Sequence, residues 1–232
     1  MKNFQKLGFL TVAFVAILFS CSKDGGVKSI EPNSFCGNVT DIDVNIYPTV
    51  KIGEQCWTQK NLNVSKYRNG DPIPQVTDPT QWQNLKTGAW CYYENKPDNG
   101  IVYGKLYNWY AVKDPRGLAP IGYHIPTDAE WTILTTFLGG ESVAGKNMKA
   151  TKGWLDYIGI TNTNGSGITG LPGGSRTSFG DFSSLGYFGF WWSASESMIN
   201  AAWNRTLLYS HDIASRYDSY KEDGFSVRCL RD

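Results

Sequence analysis

Three side chains capable of proton or metal chemistry crowd into the stretch YHIPTDAEW: His124, Asp128 and Glu130. An imidazole beside two carboxylates is the donor set of a metal site or an acid–base pair. The spacing argues for another use. A metal pair on one helix face needs i, i+4 spacing inside the helix, and Pro126 interrupts the His124–Asp128 pair. Thr127 and Glu130 instead fit a capping box, each side chain satisfying a backbone N–H that the first helical turn leaves open. Pro126 and Trp131 stand where a hydrophobic staple pins the entry of the chain. Asp128 complements the helix dipole, and Gly139-Gly140 supplies the stop. The stretch therefore predicts a helix start, with Trp131, Leu134 and Leu138 as its apolar face and Ile133 and Phe137 widening it. His124 alone is left without a role.

The other chemical motifs fall short in similar ways. His211-Asp212 has no identified nucleophile beside it and reads as an exposed hairpin. Asp41-x-Asp43-x-Asn45 opens like a calcium loop, but Ile46 occupies the glycine position and Ile52 the bidentate glutamate position. It reads as a turn before a strand. GLPGGSR lacks the lysine and the following helix of a phosphate cradle. There is no G-x-S-x-G elbow, and no G-x-G-x-x-G that opens a helix after a strand. No catalytic residue, metal ligand or cofactor is assigned.

The chain opens with Lys2 and Lys6, then an apolar run from Leu7 to Phe19, then Ser20-Cys21. The run has h-region length and falls short of the roughly 20 residues that span a bilayer. Its ending resembles a bacterial lipoprotein signal. Residues 1–20 are then the signal peptide, and Cys21 is the lipidated residue, carrying palmitate-type acyl chains. Residues 21–35 are a polar, aperiodic tether, and 36–232 are one domain. Outer-membrane attachment follows, facing the cell surface, with the periplasmic face as the alternative. The mature charges nearly balance, with 22 basic and 21 acidic residues in the whole chain, so there is no footprint for nucleic acid. Aromatics make up 14% and charged residues only 19%, which suits an aromatic-heavy exported domain. Cys36, Cys56, Cys91 and Cys229 are an even set of candidate disulfide cysteines, with three connectivities open.

The elements that would carry these residues read as α+β. Val44 to Ile52 is strand-like, with a turn or edge signal at Pro48. DPTQWQNLK predicts a short helix with Asp78 as N-cap and Pro79 at the first position. YGKLYNWYAV predicts one helix, because Tyr103, Leu106, Tyr107 and Tyr110 form an i, i+3, i+4, i+7 stripe. Another short helix is expected near Val143 to Ala150. Residues 159–189 read as a long irregular loop, partly packed down through Ile168, Leu171, Phe179 and Phe182. Strands are expected at Phe190–Ser195, Ala201–Tyr209, Ser215–Tyr220 and Phe225–Leu230.

Six stretches, TVKIGEQCWTQKNLN, YGKLYNWYAV, GYHIPTDAEW, LPGGSR, WWSASE and GFSVRCLRD, occur in an order that resembles the Fibrobacter succinogenes major paralogous domain, from about Asp41 to Asp232. That family often carries a cysteine where this chain has Ala119. If Cys229 pairs with it in relatives, the resemblance leaves Cys36 as a candidate partner here. More remotely, HIPTDAEWT, GGSR and GFSVR are similar to the sulfatase-modifying-factor, or formylglycine-generating-enzyme, fold. This resemblance implies a C-type-lectin-like single domain with few short helices, short antiparallel strands and long loops. The oxidases of that fold bind copper through a cysteine pair, and Ser193–Gly224 contains no cysteine, so the chemistry is not expected to carry over.

The function expected is a non-enzymatic binding or adhesion module for a glycan or a surface protein, held to the membrane by its lipid. Arg176, Tyr187, Trp191 and Trp192 are its candidate contact residues. A structural component of an envelope assembly and an enzyme with a loop-borne site are the alternatives.

Overall fold

The computed structural model describes Met1 and residues 34–232. The signal segment, Cys21 and the tether as far as residue 33 lie outside the described residues. In chain order the first elements are β1 (Phe35–Thr40), β2 (Ile46–Ile52), β3 (Gln55–Thr58), α1 (Pro79–Gln83) and β4 (Trp90–Cys91). Then come α2 (Pro97–Tyr103), β5 (Leu106–Tyr107), α3 (Trp109–Val112), β6 (Tyr123–His124), α4 (Asp128–Phe137) and α5 (Glu141–Met148). The last part is β7 (Gly173–Arg176), β8 (Phe182–Leu185), β9 (Phe188–Met198), β10 (Ala201–Leu208), β11 (Ala214–Tyr220) and β12 (Leu230–Arg231). The result is one small, mostly β domain with few short helices, more strand-rich than the α+β expectation.

Two five-stranded sheets carry it, ordered β1-β2-β3-β12-β6 and β11-β10-β9-β7-β8, with β4-β5 as a small third pair. Among the described residues the named strands pair antiparallel except β7 with β9, which meet in parallel at Gly174 and Gly189. Pro48 lies inside β2, opposite Asn38 and beside an irregularity in the β1–β2 register. β2 is an inner strand of its sheet, and a bulge is where a residue without an N–H does least harm inside it. One core cluster lies between the sheets and α4. Val50, Ile52 and Trp57 of one sheet, Trp191 and Leu207 of the other, and Trp131 and Leu134 of α4 share one buried cluster. Trp57 and Trp131 meet with ring centroids 4.6 Å apart.

α1 and α4 form as their caps dictate. The Asp78 side chain accepts from the Gln81 N–H. Thr127 Oγ1 accepts from the Glu130 N–H, while a Glu130 oxygen accepts from the Thr127 N–H at 2.7 Å. Trp131, Leu134 and Leu138 are buried, but Ile133 (57% exposed) and Phe137 (36%) are not part of that face. Phe137 instead lies over Gly53.

The helix expected over YGKLYNWYAV is broken into three pieces: the end of α2, strand β5, and one turn of α3 capped by Asn108. Gly104 causes the break. It adopts φ +73°, and a Cβ there would sit 2.7 Å from the Leu62 carbonyl, so the close approach of another backbone overrides the stripe. The 159–189 region also departs from expectation, since it contains β7 and β8. Phe179 projects into solvent. The final strand is only Leu230–Arg231; Gly224, Phe225 and Ser226 make isolated bridges to three separate segments.

Cys36 is bonded to Cys56, with Cα atoms 6.4 Å apart. That corrects the Cys36–Cys229 pairing drawn from the resemblance. Cys91 and Cys229 are free and buried. Desolvation pushes the Cys91 thiol up to about 12, eased by the nearby Arg176, and holds Cys229 higher still.

A loop-rich domain leaves many buried carbonyls outside any ladder, and each needs a donor. Cations supply them here. Arg176 donates to the carbonyls of Gly180, Val76 and Thr77. Lys149 donates to those of Leu208 and His211. Arg228 donates to Thr58, Ile168 and Thr169 and to the Asn61 side chain.

Candidate ligand cleft

The four contact residues expected from sequence do not come together at the surface. Arg176 is fully buried, stacked on Trp82 at 4.5 Å and spent on the three carbonyls above. Trp191 and Trp192 are core residues whose indole N–H groups donate to Asn61 Oδ1 and the Tyr107 carbonyl. Their alternation along β9 is broken because both faces of that strand are covered there. Only Tyr187 is open, at 47% exposure, edge-to-face against Tyr209, which Tyr157 meets in the same way.

His124 also gains an assignment. Its Nδ1 lies 2.7 Å from Asp232 Oδ1 and its Nε2 3.0 Å from Glu130 Oε1. It clasps β6 to the start of α4 and to the residue after β12. Among the described residues no group of three His, Cys, Asp or Glu side chains is arranged to hold a metal ion. His211 lies in the turn between β10 and β11.

Concave space opens elsewhere. A cleft of about 410 Å³ lies between the start of β2, the segment after β3, helix α2 and the 169–171 loop. That volume suits a small ligand. Its floor is a hydrogen-bonded chain. Asp41 accepts from the backbone N–H of Asp43 and of Asn45, from Asn45 Nδ2 and from the Tyr47 hydroxyl, so the calcium-like motif is a self-satisfied turn. Burial and the Asp41 carboxylate hold the Tyr47 phenol far above its ordinary value. Tyr47 Oη then accepts from the Asn63 N–H at 3.0 Å. Lys105, buried beneath, donates to the Asn63 carbonyl and to Asn63 Oδ1, with Nζ 4.4 Å from the Trp90 ring centroid. Burial pulls this ammonium down to about 8, and Asp43 and Asp41 oppose that shift.

The walls follow from this floor. Asn45 Nδ2 donates inward, to Asp41 and the Asn63 carbonyl. Gln59 Nε2 donates to the Gly167 carbonyl. Asn63 Oδ1 is taken by Lys105. Each amide is thus fixed in one orientation by an inner partner. Asn45 Oδ1, Gln59 Oε1, Asn63 Nδ2 and the Lys60 ammonium have no protein partner among the described residues and reach solvent. Above them stand Ile101 and Val102 of α2, 83% and 55% exposed. Across the cleft, Arg228 holds Thr169 in place. These residues were missed because they come from four distant segments; the amide-rich run QKNLN was the one available signal.

The family model of the Fibrobacter succinogenes major domain matches residues 50–231. The chain belongs to that family. This Fibrobacter succinogenes major domain carries the cleft residues Gln59, Lys60, Asn63, Ile101, Val102 and Thr169 within the matched span, whereas Asn45 and Cys36 precede it. Its disulfide therefore ties strand β1, ahead of the matched region, to β3 within it. No curated protein and no solved structure matches the domain.

Proposed function

We propose that the chain is an outer-membrane lipoprotein, anchored through Cys21, whose domain is a non-enzymatic binding module at the cell surface with its ligand held in the cleft. One observation carries the reading: three wall amides are each locked from inside and left open outside, under an aliphatic lip. Concave sites with a few fixed polar groups among apolar ones are built to bind. The wall brings no carboxylate, imidazole or thiol, which favours recognition over acid–base or nucleophilic chemistry at this site. The curled sheets and long loops support a C-type-lectin-like, sulfatase-modifying-factor-like reading of the fold.

The test is a glycan array and an envelope-protein pull-down with the full chain in detergent, beside an Ile101→Ser/Val102→Ser variant. Saturable capture lost in the variant, at unchanged melting temperature, is the expected result. Capture that the variant leaves intact moves the site elsewhere and overturns the reading. A second reading, a structural component of an envelope assembly, draws on the exposed Leu155, Tyr157, Ile158 and Tyr187. A stoichiometric envelope partner lost in Tyr157→Ser but not in the cleft variant would favour it.

A further inference from the structure

We propose that the cleft takes a short aliphatic peptide ending in a free carboxylate; this rests on the cleft being the ligand site. Asn45 Oδ1 and Gln59 Oε1 are acceptors and Asn63 Nδ2 is a donor, and none can exchange roles by flipping without losing an inner hydrogen bond. Fixed acceptors and a donor lining one cleft match the N–H and C=O of an extended backbone, which offers one of each per residue.

The apolar part points the same way. Ile46, Ile101, Val102 and Leu171 line the cleft, and aliphatic walls accept aliphatic side chains. A pyranose is usually held against an open aromatic face. Tyr47 is the one ring in this wall and it is 2% exposed, with its hydroxyl already engaged on both sides. A sugar would find hydrogen bonds here but nothing to stack on.

Charge decides the end of the peptide. Lys60 is the single charged side chain in the lining, and no carboxylate faces it. An ammonium with no protein partner at the mouth of an otherwise neutral cleft selects a ligand bearing one anion. A peptide's terminal carboxylate supplies that charge on the same molecule as the amides and alkyl groups.

The experiment is isothermal titration of the full chain in detergent with acetyl-Ala-Val-Leu as the free acid, as its C-terminal amide, and with a chitotriose control. Lys60→Met and Ile101→Ser are both exposed changes, and their melting temperatures verify the fold. The free acid is expected to bind up to about fivefold tighter than the amide, the range of a solvent-exposed ion pair. Lys60→Met should abolish that difference. Ile101→Ser should weaken both peptides by about tenfold, from the loss of buried alkyl surface. Equal binding of acid and amide to the unaltered chain overturns the carboxylate assignment. Chitotriose binding that Ile101→Ser removes, with no peptide binding, overturns the ligand class and leaves the cleft as the site. Peptide binding indifferent to both substitutions, or no binding of any probe, overturns both.

Discussion

Replacing Arg228 with methionine tests whether buried cations hold the loops together. The guanidinium is fully buried and makes four donated bonds, to Asn61 Oδ1 at 2.7 Å and to the carbonyls of Thr58, Ile168 and Thr169 at 2.7, 2.6 and 2.9 Å. Desolvation pulls its pKa down to about 9, still well above neutral, so the group remains charged. Charge-assisted bonds contribute about 1.5–3 kcal/mol each. Methionine also relieves the cost of burying the cation, which offsets part of that total. Four neutral acceptors that lose this donor cost about 1–3 kcal/mol each, and the relieved desolvation of the cation offsets several kcal/mol of that. The net loss is about 3–5 kcal/mol, a large share of the roughly 5–15 kcal/mol that stabilises a domain. Arg228→Lys should recover part of it, since an ammonium has three donors but no planar fork. The assay is urea unfolding with hydrogen exchange read at Thr169 and Gly170, whose N–H groups bond to Asn164 Oδ1 and the Met148 carbonyl. The midpoint should fall at constant m-value, with protection at these amides lost early. An Arg228→Met protein within about 1 kcal/mol of the parent, with that protection intact, would show that the loops do not depend on this cation.

Burial, opposed by the Ser178 and Tyr220 N–H groups, raises the Asp223 carboxyl from 3.8 to about 6. A raised pKa means its contribution to stability is full below pH 4 and is lost as pH climbs through 6. Asp223→Asn should then gain roughly 2–3 kcal/mol at pH 7–8 and little at pH 4; a melting-temperature series showing no such pH dependence would contradict it. Cys36→Ala/Cys56→Ala opens a link across 20 residues and should cost about 3 kcal/mol in urea unfolding; an unchanged midpoint argues against the bond. Cys21→Ala should abolish acyl labelling and release the chain from the membrane fraction, and retention of both would sink the lipid-anchor proposal.

What was legible in the sequence was local. The capping box at Thr127–Glu130 and the Asp78-Pro79 start each satisfy their own backbone within one turn, so spacing alone reveals them. The Tyr103–Tyr110 stripe misled because its period is real but its continuity is not. Gly104 must pass against the Leu62 carbonyl, a contact set by residues far along the chain. Arg176, Trp191 and Trp192 advertised their chemistry but not their burial, which depends on what covers both faces of β9. His124 found partners only when β6, α4 and the β12 end were brought together. The cleft was hidden for the same reason: its donors and acceptors are what remains after an inner network has been satisfied, and that remainder cannot be counted without the fold.

The most direct measurement is a titration followed on the side-chain amide signals of Asn45, Gln59 and Asn63, with the backbone signals of Lys60, Ile101 and Thr169. With acetyl-Ala-Val-Leu as the probe, these signals should shift together and saturate, the Asn63 Nδ2 protons most, because they alone among the three amides lack an inner acceptor. Saturable shifts confined to the Tyr157, Tyr187 and Tyr209 rim, with the cleft signals unmoved, would contradict the claim that this cleft is where the protein binds.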